Sequence, residues 1–404
     1  MRSPIAPRRE FLRFLAASPL AAHAWAQGVA PSGAAPNSPN LRDALNVMDF
    51  EPWAHAALPP AHWGYMATGV DDDATLRMNH EAFAHYQLRA RRLVDVSKAD
   101  LKTEVLGAAW DMPIYVSAVG SQRAFHPQGE LATARAANAK KAMQMLSTVT
   151  SVPVEDVAKA LGTPPWFQLY MPPSWNETEK LVKRVEDAGC PVLAWTIDLL
   201  AGRNSETATR LTRTDTRDCL NCHTNSPTAG ANTGSSRGKP MFAGLSGLIN
   251  PPEATWAYVD RLKKLTRMKL VLKGIDTAED ARLALEHGVD GVIVSNHGGR
   301  ATETGRGTID ILPEVVDAVG ARIPVLVDGG FRRGSDVYKA LAIGARAVGI
   351  GRPYIWGLSA FGQEGVEKVL DILRAELELT MRQCGTPSIK QITRAAVLRN
   401  GLRL

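Results

Sequence analysis

The sequence lacks an apolar run long enough to span a bilayer, and it lacks a sustained basic stripe. A membrane-spanning helix needs about 20 consecutive apolar residues, and a nucleic-acid-binding face concentrates Lys and Arg. The 404 residues carry a formal net charge of +6, with basic and acidic residues interspersed. We therefore expect neither a membrane span nor a nucleic-acid partner. Hydrophobic residues make up 45% of the chain, which is enough for a large core.

The N-terminal segment has the pattern of an export signal. Arg8 and Arg9 precede a short apolar stretch, and Ala24-Trp25-Ala26 has the form of a cleavage site before Gln27. Paired arginines in this position are typical of the twin-arginine route, and an amphipathic basic helix is the alternative. The sequence thus predicts a signal peptide over 1–26, a flexible Pro/Gly/Ser-rich leader over 27–46, and a periplasmic protein folded over 47–404.

Short apolar runs alternate with helical patterns along the rest of the chain. The runs are 112–119, 142–146, 166–170, 192–198, 269–274, 291–295, 324–330 and 347–351. Helix-like stretches between them lie at 129–141, 178–189, 278–288 and 335–344. Eight βα units over about 250 residues favour an α/β fold of the TIM (β/α)8 type over a doubly wound sheet.

One connection is unusually long. Residues 204–243, after the fourth strand, are polar, rich in Thr, Asn, Ser and Gly, and without helical periodicity. Loops of this length are usually lids, docking sites or disordered segments. The sequence therefore predicts a long insertion loop at this place in the barrel.

Polar residues follow several strands, where a TIM barrel builds its active site. In "VSNHGGR", residues 294–300, His297 is a natural general base near neutral pH. Arg300 can bind a carboxylate through two parallel hydrogen bonds. A surface turn with two solvated side chains is the alternative. Lys273 ends an apolar strand, where its burial requires an anionic or electron-rich partner. Glycines and arginines after the last two strands indicate a phosphate site.

These motifs carry a resemblance to a known family. The run "LKGIDTAEDARLALEHGVDGVIVSNHGGR", followed by "DGGFRRGSDVYKALAIGARAVGIGRP", closely resembles the FMN-dependent 2-hydroxy acid oxidases and dehydrogenases, among them glycolate oxidase, lactate oxidase and mandelate dehydrogenase. Further matching stretches are "YMATGVDDDATLRMN", "HPQGE", "WFQLY" and "TID". The likeness covers roughly residues 60 to 395 and implies FMN as the cofactor and a 2-hydroxy acid as the substrate.

The resemblance also implies a role for each matching residue. His297 matches the active-site base, and Asp198 matches the carboxylate that stabilises its imidazolium form. Arg300, Tyr65 and Tyr170 match the groups that bind the substrate carboxylate and hydroxyl, and Lys273 matches the lysine beside the flavin ring. The positions that match flavin and phosphate contacts are Ala118, Gly120, Ser147, Gln168, Thr196, Lys273, Ser295, Asp328, Gly329, Arg332, Gly351 and Arg352.

Two stretches depart from the family pattern. After Asp198 the chain reads "LLAGRNSET", one residue shorter than usual, so that either Arg203 or Asn204 takes the place of the second substrate-binding arginine. A change in the groups that bind the substrate carboxylate would change which acid the protein binds. The residues after Arg300, "ATE", also differ from the family wording, which leaves the next turn undefined.

The four cysteines fall into two kinds. Cys190 and Cys384 lie in helix–strand patterns and are predicted to be inert buried thiols. Cys219, Cys222 and His223 form a C-x-x-C-H sequence in the long loop, which is the attachment signature of haem c. A disulfide or free thiols are the plainer reading of the same residues in an exported protein.

The sequence therefore predicts an FMN-dependent dehydrogenase or oxidase acting on a small, lactate-like 2-hydroxy acid. The expected electron acceptor is oxygen or a periplasmic partner, and the resemblance implies a homo-oligomer. Two alternatives are a phosphate-binding barrel isomerase or synthase without a redox cofactor, and an electron carrier that does not turn over hydroxy acids. The absorption spectrum and anaerobic bleaching by hydroxy acids separate these three hypotheses.

Overall fold

The computed structural model describes residues 39–217, 239–246 and 250–403. A compact unit spans Leu41–Leu404, and it begins with a 3-10 helix at Leu41–Asp43. Ala44 and Val47 are already buried in its core. The folded unit thus starts a few residues before Val47, inside the segment that the sequence analysis assigned to the leader.

The predicted barrel is confirmed. The strands of the described chain are β1 (Tyr86–Leu88), β2 (Thr103–Val105), β3 (Ala108–Trp110), β4 (Ile114–Val116), β5 (Met145–Ser147), β6 (Trp166–Leu169), β7 (Val192–Thr196), β8 (Lys269–Ile275), β9 (Gly291–Val294), β10 (Val325–Asp328), β11 (Ala347–Ile350), β12 (Val397–Arg399) and β13 (Leu402–Arg403). Strands β4 to β11 fall within the eight apolar runs, give or take a residue, because parallel strands covered on both faces are continuously apolar.

These eight strands form one parallel sheet in the order β4-β11-β10-β9-β8-β7-β6-β5. The two ends of the sheet meet at a single parallel bridge between Val116 and Gln144, where the Val116 N–H donates to the Met143 carbonyl at 2.9 Å. The sheet therefore curls into a nearly closed barrel, and the carboxyl ends of all eight strands point to one mouth.

The helices surround this barrel and are numbered in chain order. They are α1 (Phe50–Ala57), α2 (Pro60–Ala67), α3 (Ala74–Glu81), α4 (Gly129–Lys140), α5 (Val154–Leu161), α6 (Trp175–Asp187), α7 (Glu206–Thr214), α8 (Trp256–Leu265), α9 (Ala278–Glu286), α10 (Thr308–Val319), α11 (Gly334–Ile343) and α12 (Arg352–Cys384). Local signals set several ends: the Ser174 hydroxyl accepts from the Glu177 N–H at the start of α6, and Gly162 ends α5 at φ 79°.

Two apolar clusters follow from the alternation of side chains along the strands. One fills the barrel interior and includes Tyr115, Trp166, Val271, Ile293 and Leu326. The other lies between the strands and the helices and is much larger. Because successive residues of a strand point to opposite faces, neighbouring positions such as Leu272 and Val271 enter different clusters.

Helix α7 corrects the sequence prediction for residues 204–243, which expected no helix there. Its apolar residues pack on α2: a Cβ on Gly64 would lie 2.9 Å from the Leu211 Cβ and 3.3 Å from the Ala208 Cα. None of its residues is fully buried, but its few apolar residues lie on one face of the helix, and that face packs against α2. Helices α1 to α3, which precede the predicted barrel strands, were also not anticipated.

Other predictions lie outside the described residues, namely the signal peptide over 1–26 and the C-x-x-C-H residues Cys219, Cys222 and His223. Within the described ranges, no helix combines the length and the apolarity needed to cross a membrane. Cys190 and Cys384 are free, buried thiols, and burial raises the pKa of Cys190 to about 12. This thiol is therefore unreactive at neutral pH, in line with its predicted inert role.

Candidate active site

A cavity of about 760 Å³ opens at the carboxyl ends of the barrel strands. Cofactor and ligand sites typically occupy about 300–1,000 Å³. Several of the predicted site residues line it, and they come from strands and loops around the whole mouth. They are Tyr65, Ala118, Gly120, Ser147, Gln168, Tyr170, Thr196, Arg203, Lys273, His297, Arg300, Asp328, Gly329, Arg332, Gly351 and Arg352.

His297 lies between a carboxylate and a phenol. Its Nδ1 is 2.9 Å from Asp198 Oδ1, and its Nε2 is 3.1 Å from the Tyr170 hydroxyl. A carboxylate can only accept, so the Nδ1–H donates to Asp198. In the neutral ring Nε2 is then the acceptor, and the phenol donates to it. The basic lone pair of the imidazole is therefore on the nitrogen next to Tyr170, which lines the cavity.

The electrostatics of this triad suit a neutral base held by an ionised acid. Burial lowers the pKa of His297, and this outweighs the Asp198 carboxylate, which raises it. Burial on its own raises the pKa of Asp198, but His297, Lys273 and Arg203 outweigh it, so that the pKa lies below its ordinary value. Burial raises the pKa of Tyr170, which stays a neutral phenol. At neutral pH the imidazole can therefore accept a proton. The Asp198 carboxylate then stabilises the imidazolium that forms.

His297 itself has a backbone conformation that L-residues rarely adopt, with φ 59°. Its N–H donates to the Ser295 hydroxyl at 3.1 Å, which helps to hold this turn. Left-handed backbone at a non-glycine residue costs free energy and persists only where the surroundings enforce it. With this turn after β9, the His297 side chain lines the cavity at the barrel mouth.

Arg300 is anchored on one side of the cavity by backbone carbonyls. Its Nη1 donates to the carbonyl oxygens of Tyr65 at 2.5 Å and Thr68 at 3.2 Å, and its guanidinium carbon lies 5.2 Å from the centre of the Tyr65 ring. Burial, followed by the charge of Arg203, lowers the pKa of Arg300 to about 10. The group is still a cation at neutral pH, and its remaining N–H groups are available for an anion.

The structure separates the two candidates for the second substrate arginine. Arg203 lines the cavity. Asn204 is exposed, and its side-chain amide donates to Asp71 Oδ1 at 2.9 Å. The shortened stretch after Asp198 thus brings the guanidinium, and not the amide, to the mouth of the barrel.

Lys273 is buried, with 5% of its surface exposed, in a compact polar group. Its ammonium donates to Ser295 Oγ at 2.7 Å and lies 3.3 Å from Asp328 Oδ2. The Ser295 hydroxyl donates in turn to Asp328 Oδ1 at 2.6 Å. These contacts fix a positive charge in the wall of the cavity, near the carboxyl end of β8 and beside the ends of β9 and β10.

A second polar chain crosses the neighbouring strands. The Ser147 hydroxyl donates to Gln168 Oε1 at 3.0 Å, and Gln168 Nε2 donates to Thr196 Oγ1 at 2.8 Å. Ala118 and Gly120 complete this wall. A Cβ on Gly120 would lie only 2.2 Å from Val149 Cγ2, so the wall is closely packed there.

The ends of β10 and β11 form a cationic, glycine-rich corner. Gly329 lines the cavity at φ 106°, next to Gly330 at φ 82°, and the absence of a side chain on Gly351 leaves open space. Arg352 donates to the carbonyl oxygens of Met66, Gly298 and Thr68 at 2.9 to 3.0 Å. Burial, followed by the neighbouring guanidiniums, lowers the pKa of Arg352 to about 9.

Arg332 lines the same corner, with its guanidinium carbon 4.6 Å from the centre of the Trp356 ring. Burial lowers the pKa of Arg332 to about 10, so both arginines are cations at neutral pH. Glycine backbone and two cations are the donor set that a phosphate monoester requires. Together with the charged wall at Lys273 and the polar chain at Gln168, the cavity fits FMN at its phosphate end and at its ring end.

Several important contacts were not predicted. Asn79 and Asn296 form a reciprocal pair of side-chain amide hydrogen bonds at 2.8 and 2.9 Å. Asn296 is next to His297, so the pair ties α3 to the turn that carries the imidazole. Both residues lie in stretches that matched the family, but nothing in the sequence indicated that they meet. Lys239 also lines the cavity, although it belongs to the long polar loop.

The chain is similar to known proteins over most of its length. Residues 54–399 match the family model of the FMN-dependent dehydrogenases. A peroxisomal (S)-2-hydroxy-acid oxidase of Oryza sativa subsp. japonica is 41% identical over 89% of this chain and 97% of its own length. An L-lactate dehydrogenase (cytochrome) of Wickerhamomyces anomalus is 35% identical over 88% of this chain and 61% of its own length.

Solved structures give the same result. A flavocytochrome b2 mutant with pyruvate bound superposes with a TM-score of 0.78 and 36% identity, covering 89% of this chain and 87% of its own. A mandelate oxidase with (S)-2-phenylpropionate gives a TM-score of 0.75 and 34% identity, covering 86% and 96% of the two chains. These likenesses span the barrel and the segments before and after it.

Proposed function

Because this chain belongs to the FMN-dependent dehydrogenase family, we propose that it oxidises a small 2-hydroxy acid to the 2-oxo acid with His297 as the base. Its relatives include (S)-2-hydroxy-acid oxidases and an L-lactate dehydrogenase. The chain is therefore an FMN-dependent oxidoreductase acting on the CH–OH group of 2-hydroxy acids. The identity of the acid, the proton acceptor and the electron acceptor are the proposed parts.

FMN supplies the two-electron acceptor of this oxidation. Its phosphate would be held by Arg332, Arg352 and the glycine backbone after β10 and β11, and its ring would lie beside Lys273. The fixed ammonium favours negative charge near the ring, since burial strengthens the interaction. Ser147, Gln168 and Thr196 offer neutral hydrogen-bonding groups along the same wall.

Oxidation of the substrate removes a proton and a hydride equivalent: His297 accepts the proton, and the hydride equivalent would go to FMN. The Nε2 lone pair can receive that proton because Nδ1–H is already committed to Asp198. The resulting imidazolium is stabilised by the buried Asp198 carboxylate, 2.9 Å away. Arg300 and Arg203 would hold the substrate carboxylate, with Tyr65 and Tyr170 as hydrogen-bonding partners. Held in this way, the α-carbon would lie near the imidazole.

The single observation that carries the proposal is the contact of His297 with both Asp198 and Tyr170 in a cavity that also holds Lys273 and Arg300. Anaerobic titration of the flavin-loaded protein with lactate, glycolate, mandelate and longer 2-hydroxy acids tests it. We expect at least one of them to bleach the flavin absorbance, with release of the 2-oxo acid. If none does, the protein does not oxidise 2-hydroxy acids.

The acceptor and the location belong to the same proposal. We propose a periplasmic enzyme, exported by the twin-arginine route, that passes electrons to oxygen or to a periplasmic partner and assembles as a homo-oligomer. Cell fractionation and N-terminal sequencing test the export. Stopped-flow reoxidation of the reduced flavin by air tests oxygen as the acceptor, since slow reoxidation identifies a dehydrogenase.

The C-x-x-C-H residues Cys219, Cys222 and His223 have two proposed states, a covalent haem c and a disulfide or free thiols. A haem near the flavin would provide an electron route other than oxygen. Purification from haem-competent cells, followed by denaturation, distinguishes the two states. A Soret band that survives denaturation establishes the covalent haem. If the band is absent, the two cysteines form a disulfide or are free thiols.

A further inference from the structure

The turn that carries His297 is held by the residue before it. Asn296 is buried, with 3% of its surface exposed. Its carbonyl oxygen accepts from the N–H groups of Gly299 at 3.0 Å and Arg300 at 3.2 Å, and its side-chain Oδ1 also accepts from the Gly299 N–H at 3.0 Å. His297, Gly298 and Gly299 have φ values of 59°, 67° and 76°. These three left-handed residues form a tight turn that closes onto Asn296, so the place of the imidazole depends on where Asn296 lies.

The side chain of Asn296 uses its whole hydrogen-bonding capacity. Its Nδ2 donates to Asn79 Oδ1 at 2.9 Å and to the Arg306 carbonyl oxygen at 3.1 Å. Its Oδ1 accepts from Asn79 Nδ2 at 2.8 Å and from the Gly299 N–H. A side-chain amide has two donor hydrogens and two acceptor lone pairs, so all are occupied. Asn79 thus takes part in one donor bond and one acceptor bond of the amide that holds the turn.

Asn79 is in turn fixed by the phosphate corner. Its Oδ1 also accepts from the Thr308 N–H at 3.1 Å, and the Thr308 hydroxyl donates to the Gly329 carbonyl oxygen at 3.1 Å. A Cβ on Gly330 would lie 1.8 Å from the Asn79 carbonyl oxygen, so the loop after β10 packs directly against α3. Asn79 therefore joins three parts of the barrel mouth: the loop after β10, the start of α10 and the turn after β9.

Neither amide lines the cavity, so the pair acts on the site only through its neighbours. Burying two amides has a desolvation cost that an apolar pair of the same shape would avoid. A fully satisfied polar pair fixes one arrangement of the elements it joins, which apolar packing does less strictly. The contribution of this pair is therefore orientation, and the element that it orients carries the proposed base.

We propose that Asn79 and Asn296 are positioning residues, and that their amide pair holds the turn after β9 so that His297 can reach the α-carbon of the substrate. This inference rests on the proposed function, because the pair acts through His297 as the base. Asp198 and Tyr170 orient the imidazole ring, whereas the amide pair fixes the backbone from which the ring projects. Loss of the pair should therefore slow the step in which His297 takes its proton.

Asn79→Asp and Asn79→Ser test the inference in the flavin-loaded full chain. Both lose the Nδ2 donor to Asn296, but the first keeps the shape of the amide and the second keeps the site neutral. The rate of anaerobic flavin reduction at saturating 2-hydroxy acid, expressed per bound flavin, should fall about 10–100-fold, as a small displacement of a reacting group produces. Asn176→Asp, at an exposed position on α6, is the matched control and should be reduced at the unmodified rate.

Either Asn79 variant decides the outcome. Reduction of both at the unmodified rate overturns the inference. Loss of flavin from both also overturns it, because the pair would then hold the cofactor and not the base. If only one of the two retains flavin, its rate is the one compared.

The same substitutions in a His297→Ala background separate positioning from a general loss of structure. If the pair acts through His297, the slow residual reduction of His297→Ala should change by no more than about twofold when Asn79 is also replaced. An equal fold-loss in both backgrounds overturns the inference. Reduction of the unmodified protein by a 2-hydroxy acid supports the proposed oxidation whatever the variants show, whereas no reduction by any acid overturns both.

Discussion

His297 Nδ1 lies 2.9 Å from Asp198 Oδ1, although the two residues are 99 positions apart in the chain. Asp198 follows β7 and His297 follows β9, so that β8 alone separates their strands in the sheet. The contact fixes which ring nitrogen carries the hydrogen and leaves the other facing Tyr170. In the proposed mechanism, the proton transfer depends on this one pair.

Replacing His297 removes the proposed proton acceptor and leaves the proposed cofactor contacts in place. We expect His297→Ala to keep its yellow flavin and to lower kcat/KM for any 2-hydroxy acid by about 10²–10⁴-fold, the usual contribution of general base catalysis. Rapid-mixing measurement of anaerobic flavin reduction gives the rate. Reduction at the rate of the unmodified protein would remove His297 from the mechanism.

Replacing Asp198 changes the pH dependence as well as the rate. The Asp198 carboxylate raises the pKa of His297 against the effect of burial, so Asp198→Asn should lower that pKa further. The base then becomes deprotonated at lower pH, and the acid limb of the kcat/KM profile moves to lower pH. The maximal rate falls because the imidazolium loses its anionic partner. A shift of that limb to higher pH would contradict the assigned pairing.

We expect substrate binding to require the planar guanidinium of Arg300. Arg300→Lys keeps the charge but loses the parallel hydrogen bonds to a carboxylate, and such bonds contribute about 1.5–3 kcal/mol. We expect kcat/KM to fall about 10–100-fold. The matched control is Arg306→Lys, which changes an exposed ion pair with Glu314 and should have little effect. Equal kinetics in the two variants would show that Arg300 does not bind the substrate.

Gly330 has no room for a side chain at the phosphate corner. A Cβ there would lie 1.8 Å from the Asn79 carbonyl oxygen, whereas a Cβ on Gly107 would meet no atom within 4 Å. Both glycines have φ 82°, so both alanine variants bear a conformational cost of about 1–2 kcal/mol.

Gly330→Ala adds a steric cost of about 1–3 kcal/mol. It should therefore denature at a clearly lower temperature than Gly107→Ala and release its flavin more readily. Thermal melts followed by flavin fluorescence measure both effects. Identical melting temperatures for the two variants would mean that the loop after β10 moves freely away from α3.

Much of the fold could be predicted because the pattern that indicates each barrel strand lies within a few consecutive residues. The eight apolar runs are short and continuous, since each barrel strand is covered on both faces. The residues at their carboxyl ends, such as Lys273 and Asp328, share one mouth in any parallel barrel. The resemblance then supplied roles for those residues, and the cavity contains most of them.

The amino-acid pattern is enough to define the barrel and the set of polar residues at its rim, because periodicity and turn chemistry record which residues are buried in each unit. Closure of the folded barrel sets the contacts between units. It brought Arg203 rather than Asn204 to the cavity, paired Asn79 with Asn296, folded 206–214 as a helix on α2, and placed Lys239 beside Ser121. Such contacts join residues that lie far apart in the chain, and they form only when closure of the barrel brings its loops together.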